Sequence, residues 1–216
     1  MTPDINLGFA FAIFFVTLAP LKIIPPFFFA THGMTKKEKF SIAVRSTLLS
    51  AAILVFTAFV ASALLTNWRV SRETLLVAGG LLLLIGSLRL LSHGVSTAAP
   101  EPAPDHPTAA PRPSPLISPI TIPATITPWG LVALILFTSV AEDEHRLVGV
   151  FAMLAIILLL NLLAMIFAGP FMRFVGVPAL GVVGWIFAIL QAALGVTFLL
   201  RGVTAALGIP WTHTAL

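Results

Sequence analysis

Long apolar stretches separated by short polar ones run through most of this chain. A helix needs about 20 mostly apolar residues to cross the hydrocarbon core of a bilayer, and each stretch reaches that length. The pattern therefore predicts an all-α membrane protein with six transmembrane helices. We expect them at residues 6–30, 41–65, 72–92, 115–138, 147–168 and 178–205.

A proline-rich segment, residues 93–114, interrupts this pattern. It carries prolines at positions 100, 102, 104, 107, 111 and 113, and almost no bulky apolar residue. Such a composition buries no core and is typical of a flexible, partly polyproline linker. We therefore divide the chain into a first three-helix repeat (1–92), a linker (93–114) and a second three-helix repeat (115–216).

Prolines break the first helix of each predicted half. The first set is Pro20, Pro25 and Pro26, and the second is Pro119, Pro123 and Pro128. A broken helix in corresponding positions of two halves is typical of transporters whose halves are inverted repeats, with a binding site at the membrane midplane. Because each half has an odd number of helices, the second repeat is expected to be inverted relative to the first.

Composition agrees with a membrane protein and excludes several other classes. The chain is 58% hydrophobic and 9% charged, too few charges for the surface of a soluble domain. Its basic residues form no stripe on a soluble face, so we expect no nucleic-acid partner. Cysteine is absent, and the acidic run at residues 142–144 lacks metal-ligand spacing. We expect no cofactor, no metal and no enzymatic activity, and the lipid bilayer is the expected surrounding.

The distribution of Lys and Arg predicts the orientation, because short cytoplasmic loops carry an excess of both. One side of the predicted bundle has seven of them and the other has four. The seven are Lys36, Lys37, Lys39, Arg45, Arg89, Arg112 and Arg173, and the four are Arg69, Arg72, Arg146 and Arg201. This predicts a multi-pass protein of the bacterial inner membrane with a cytoplasmic linker and both termini in the periplasm.

Lys22 is the charge that falls deep inside a predicted span. A central lysine costs roughly 2.5–3.5 kcal/mol on insertion scales, so an intramembrane lysine is a candidate functional residue. It either holds an anionic substrate or fills the site as a tethered cation. The alternative is that it snorkels to the membrane surface. We expect its ammonium to lie in the bundle near Pro128 and to meet backbone carbonyls freed by the prolines.

Other polar residues within spans have two interpretations each. Asn161 and Gln191 either line a solute path or form hydrogen bonds between helices. Thr125 and Thr127 either contact a ligand or satisfy carbonyls freed by the second break. Gly79 and the neighbouring Gly80 are expected to permit close helix packing. Together these patterns give the candidate substrate-binding residues Pro20, Lys22, Pro25, Thr125, Thr127, Pro128 and Asn161.

Several of these segments resemble the MarC family. The resemblance rests on the run APLKIIPPF at 19–27, the AGGL step at 78–81, the PITIP segment at 119–123 leading to Pro128, and Asn161 in an Asn-Leu-Leu run. It covers nearly the whole chain except the linker. It implies a six-helix inner-membrane protein with two inverted halves, related to the LysE-type exporters, and some members are described as neutral amino-acid transporters.

The chain departs from this family at both breaks. The family's first motif reads Asp-Pro-x-Gly-Asn-x-Pro, and here Ala19, Lys22 and Ile23 stand in place of Asp, Gly and Asn. The second reads Gly-Pro-Gly, and here it is Thr127-Pro128-Trp129. Two hypotheses follow. The chain is a transporter or exporter of small solutes such as amino acids, or it is a transporter-derived accessory subunit of a membrane complex. The sequence leaves open whether it binds a second copy or another protein.

Overall fold

The computed structural model describes residues 7–92, 125–141 and 144–209, and the regular secondary structure within them is helical throughout. The helices are α1 (Leu7–Leu18), α2 (Ile24–Ala30), α3 (Lys36–Asn67), α4 (Arg72–Ser92), α5 (Pro128–Val140), α6 (Glu144–Ile166) and α7 (Ala168–Ala206). A short 3-10 helix, Pro20–Ile23, joins α1 to α2. The predicted linker lies outside the described residues.

Five segments of the described chain are long and apolar enough to cross a membrane. They are Ala10–Ala30, Lys36–Asn67, Arg72–Ser92, Glu144–Ile166 and Pro178–Ala206. The all-helical membrane fold is thereby confirmed, and the predicted bounds agree well for α4 and for the last span. α5 has 13 residues, too few to span. The segment before it that would complete a sixth span, residues 115–124, lies outside the described residues.

The first span is broken where the prolines predict. α1 ends at Leu18, and Ala19 has a φ of 28°, a left-handed conformation that costs a non-glycine residue about 1–2 kcal/mol. The chain then forms the 3-10 turn, in which the Lys22 amide donates to the Ala19 carbonyl at 2.9 Å. Pro20, at the start of this turn, has no amide hydrogen to donate, so α1 cannot continue through it.

The second break has a different form. Pro128 is the first residue of α5, a position where proline's missing amide hydrogen leaves no intrahelical bond unmade. Thr127 precedes it in an extended conformation and its side chain accepts a hydrogen bond from the Gly130 amide. Thus the described part of this segment contains a helix start, and its two earlier prolines, Pro119 and Pro123, lie outside the described residues.

α4 and α7 form the most extensive helix pair of the described chain. A Cβ built on Gly80 would lie 2.6 Å from the Gly195 carbonyl oxygen, and one on Gly202 would lie 2.8 Å from the Val77 amide nitrogen. Residue numbers rise along α4 as they fall along α7, so the two helices are antiparallel. We call this contact the α4–α7 seam. It confirms that the Gly79–Gly80 step permits close helix packing.

Buried apolar side chains form two core clusters. The larger one includes Leu18 of α1, Leu54 of α3, Leu134 of α5 and Leu158 of α6. The smaller one includes Ile24 of α2, Ala43 of α3, Met165 of α6 and Leu180 of α7. The first span is the most buried of the candidate spans, with 67% of its most apolar window buried against 17% in α3, and it crosses both clusters. It therefore lies at the centre of the bundle.

Candidate functional site

The two breaks meet directly in the interior of the bundle. The Thr127 hydroxyl donates to the Thr17 carbonyl oxygen at 3.1 Å, and both side chains are buried. Thr17 lies in the last turn of α1, where a carbonyl has lost its usual helical partner. The same hydroxyl accepts from the Gly130 amide at 3.1 Å. A single side chain therefore caps the end of α1 and the start of α5.

Gly130 makes this close approach possible. A Cβ built there would lie 3.2 Å from Leu18 Cγ and still closer to the Leu18 Cδ2 methyl group. Any larger residue would push α5 away from the end of α1. The Gly-Pro-Gly motif that this segment resembles has a glycine directly after the proline, where this chain has Trp129. The glycine that permits the contact is one position further along the chain.

A layer of buried polar groups separates the two core clusters. On the first span, the 3-10 turn begins just after Leu18 of the larger cluster, and its residues Leu21 and Ile23 pack into the smaller one. On α3, the buried Ser46 and Ser50 lie between residues of the two clusters, and on α6 the buried Asn161 does. The 3-10 turn packs on α6, and α3 packs on α6 as well. We call this set of groups the polar layer.

α3 and α6 place Ser50 and Asn161 at similar heights in the bundle. The two helices are antiparallel, because Ala43 joins the same cluster as Met165, whereas Phe59 stacks on Phe151 at a ring distance of 6.4 Å. Interpolating between the shared cluster at one end and the ring pair at the other places Ser50 near the height of Asn161. Both residues are 0% exposed. Two helices thus bring polar side chains to the level of the break in the first span.

Several polar atoms at this level lack a hydrogen-bond partner in the part of the chain that the structure describes. They include Lys22 Nζ, Ser50 Oγ, and both Oδ1 and Nδ2 of Asn161, all of them buried. An unsatisfied buried polar group typically costs about 1–3 kcal/mol, and a charged one costs more. Groups held at such a cost, in one layer and beside a strained turn, are the described chain's strongest candidate for a solute site.

Lys22 is held in the interior, but not by the partners that the sequence predicts. Its Nζ is buried, yet the expected backbone carbonyl is not found among the described residues. Its side chain lines a cavity of about 10 Å³ together with α7 residues, among them Leu180, Gly184 and Phe187. The expectation that the ammonium meets backbone carbonyls is therefore wrong for the described chain, and the Lys22 side chain lies against α7 instead. The Thr17 carbonyl is already bonded to Thr127.

Trp129 packs away from this layer. Its indole contacts Gly86 of α4, where a Cβ would lie 2.8 Å from the ring atom Cζ3. Gln191 of α7 also lies against Gly86, and its Nε2 donates to the Leu83 carbonyl at 3.2 Å. Of the two interpretations of Gln191, the interhelical hydrogen bond is confirmed. For Asn161 no such bond is found in the described chain, and its place on a solute path stays a prediction.

Five of the predicted site residues are buried, namely Pro20, Pro25, Thr125, Thr127 and Asn161, whereas Pro128 is exposed. Of these, Thr127 makes the direct contact with the end of α1. Sequence reasoning missed Ser50 and Gly130. A signal for Ser50 was present, because the buried residues of α3 recur at positions 43, 46, 50, 54 and 58, the spacing of one helix face. In the described residues, no group of His, Asp and Glu could hold a metal ion.

Comparison with known proteins places the chain among integral membrane proteins. A family model described as "MarC family integral membrane protein" matches residues 6–207. A relative from Archaeoglobus fulgidus, named only as a UPF0056 membrane protein, is 27% identical over 204 residues, covering 93% of this chain and 95% of the relative. No solved structure matches the chain.

Proposed function

Because the chain belongs to the MarC family of integral membrane proteins, we propose that it is a secondary transporter of small amphipathic solutes such as amino acids. The observation that carries this proposal is the polar layer, in which Lys22, Ser50 and Asn161 hold buried polar atoms without partners in the described chain. A zwitterion complements these groups. The Lys22 ammonium attracts a carboxylate, while the Asn161 carbonyl and the Ser50 hydroxyl accept from an ammonium group.

We propose that transport proceeds by alternating access of two inverted three-helix repeats. Paired contacts support this. In the described chain, α1 of the first half packs on α6 of the second, and α5 of the second half packs on α3 of the first. The third helices of the two halves, α4 and α7, pack on each other. A two-fold axis relating the halves would exchange these contacts. The described arrangement is closed, because the breaks touch through Thr127 and Thr17, and about 10 Å³ beside Lys22 holds at most one water. A solute enters only after the breaks separate.

We further propose a plasma-membrane protein of a bacterium with both termini in the periplasm. Lys36, Lys39 and Arg173 line a single cleft, as expected if these basic residues share the cytoplasmic side. Alkaline phosphatase fused after Leu216 should then be active, since this reporter folds only outside the cytoplasm. Activity of a fused green fluorescent protein, with an inactive phosphatase fusion, would reverse the orientation.

Efflux from proteoliposomes tests the proposed transport. Vesicles loaded with radiolabelled neutral amino acids should lose them faster when they contain the protein than when they are empty. Lys22→Met keeps the length of the side chain and removes the charge, so efflux should fall to the rate of empty vesicles. Lys37→Met, which removes an exposed lysine, is the matched control and should leave the rate unchanged.

A transporter-derived accessory subunit is the second candidate. The direct contact between the breaks and the lack of room beside Lys22 favour it, because a permanently closed layer carries no solute. On this account the folded wild type shows no efflux of any neutral, anionic or cationic amino acid. The same assay therefore decides between the two candidates.

A further inference from the structure

A wide cleft opens at one end of the bundle, outside the polar layer. It has a volume of about 940 Å³ and lies between the end of α2, the first turns of α3 and the junction of α6 with α7. α7 bends at Gly176, which has a φ of 73°, and the apolar span begins only at Pro178. The part of α7 that borders the cleft thus precedes its span, which places the cleft at the edge of the membrane.

Three basic side chains line this cleft: Lys36, Lys39 and Arg173. They come from two helices that are distant in sequence. Among the described residues that line the cleft there is no Asp or Glu. The described residues that line the cleft therefore carry three cations and no carboxylate to balance them. Such a site attracts a ligand with negative charge.

Aromatic side chains form much of the rest of the cleft wall. Phe28, Phe40 and Phe174 all line it, and Phe174 is 93% exposed while Phe40 is 56% exposed. Isolated phosphate would gain nothing from these rings. A ligand that fits both parts of the cleft carries an anionic group at one end and a hydrocarbon chain at the other.

We propose that this cleft binds an anionic phospholipid of the surrounding bilayer. Its phosphate lies among Lys36, Lys39 and Arg173, and the upper part of an acyl chain lies along Phe28, Phe40 and Phe174. Basic pockets between helices at the membrane edge bind lipid headgroups in this manner. The site stands apart from the polar layer, so the proposal does not depend on whether the protein transports a solute.

Native mass spectrometry of the full-length protein in detergent tests the proposal. Phosphatidylglycerol and phosphatidylcholine with identical acyl chains are titrated in turn, and bound lipid is counted. The triple variant Lys36→Gln, Lys39→Gln, Arg173→Gln should bind phosphatidylglycerol about 100-fold more weakly, at roughly fivefold for each charge. The control triple Lys37→Gln, Arg45→Gln, Arg69→Gln removes as many exposed charges from outside the cleft and should bind nearly as well as the wild type.

Two further arms separate a lipid from a free anion. Phe174→Ala should weaken phosphatidylglycerol binding several-fold, and millimolar inorganic phosphate should compete poorly. Should the triple variant fail to fold, Arg173→Gln alone should show the fivefold loss. Equal binding of the two lipids, or equal loss in both triple variants, would overturn the proposal. Effective competition by inorganic phosphate together with an unaffected Phe174→Ala variant would show a free-anion site and overturn it too.

Discussion

The α4–α7 seam and the polar layer are built by opposite rules. In the seam, glycines bring two helix backbones together, and Gln191 donates across it to the Leu83 carbonyl. In the polar layer, polar atoms of Lys22, Ser50 and Asn161 are buried without partners in the described chain. The seam thus contributes stability through close packing, whereas the layer lowers it. The comparison therefore contrasts a closely packed helix pair with a centre whose buried polar atoms cost stability.

The largest change in stability is expected at Lys22. Lys22→Met removes a buried charge whose insertion cost is roughly 2.5–3.5 kcal/mol, so the free energy of unfolding should rise by up to about 3 kcal/mol. Thermal unfolding in detergent, followed by circular dichroism, measures this rise, with Lys37→Met as the exposed control. A fall in stability would instead show that the Lys22 ammonium has a stabilising partner in the folded protein.

The seam should respond in the opposite direction. Gly80→Ala places a Cβ 2.6 Å from the Gly195 carbonyl oxygen and from the Leu199 amide nitrogen, so one of the two helices must move. Such overpacking typically costs about 1–3 kcal/mol. Gly181→Ala on α7 is the matched control, because a Cβ there has no neighbour within 4 Å. Equal stability of the two alanine variants would contradict the account of the seam.

Substitution of Asn161 should raise stability and lower transport at the same time. Asn161→Leu replaces a buried amide that has no partner in the described chain by an apolar group of similar size, so the free energy of unfolding should rise by about 1–3 kcal/mol. Efflux from proteoliposomes should fall at the same time, because the solute loses a donor and an acceptor. Ser139→Ala is a control outside the layer, where the hydroxyl donates to the Leu136 carbonyl at 2.8 Å. A destabilised Asn161→Leu variant would mean that the amide is a structural element.

The smallest effect is expected at Ala19. Glycine adopts a φ of 28° without the cost that alanine bears there, so Ala19→Gly should stabilise the protein by up to about 1 kcal/mol. Ala52→Gly, in the regular part of α3, should instead destabilise it by about the same amount. If the two substitutions change the free energy of unfolding in opposite directions, the backbone at Ala19 is strained. Changes in the same direction would show that it is not.

Much of this architecture was readable from the sequence, because length and apolarity define a span. The bounds of α4 were predicted in full, and Pro20 interrupts the first span as proline chemistry requires. That Lys22 Nζ finds no carbonyl partner in the described chain could not be predicted from the sequence. The Thr17 carbonyl at the break is bonded to Thr127, which is 110 residues away, and the Ala19 carbonyl accepts from the Lys22 amide. The position of Trp129 depends on Gly86 of another helix, which no local pattern reveals.

The central claim is that the two breaks must separate during transport, and a reversible cross-link tests it most directly. The chain has no cysteine, so Leu18→Cys with Gly130→Cys introduces a unique pair. A Cβ at position 130 lies 3.2 Å from Leu18 Cγ, within the reach of a disulfide bond. Efflux of labelled amino acid should stop on oxidation and recover on reduction, while the Leu18→Cys single variant, which cannot form the bond, should be unaffected by oxidation. Full efflux by the oxidised, cross-linked protein would contradict the account.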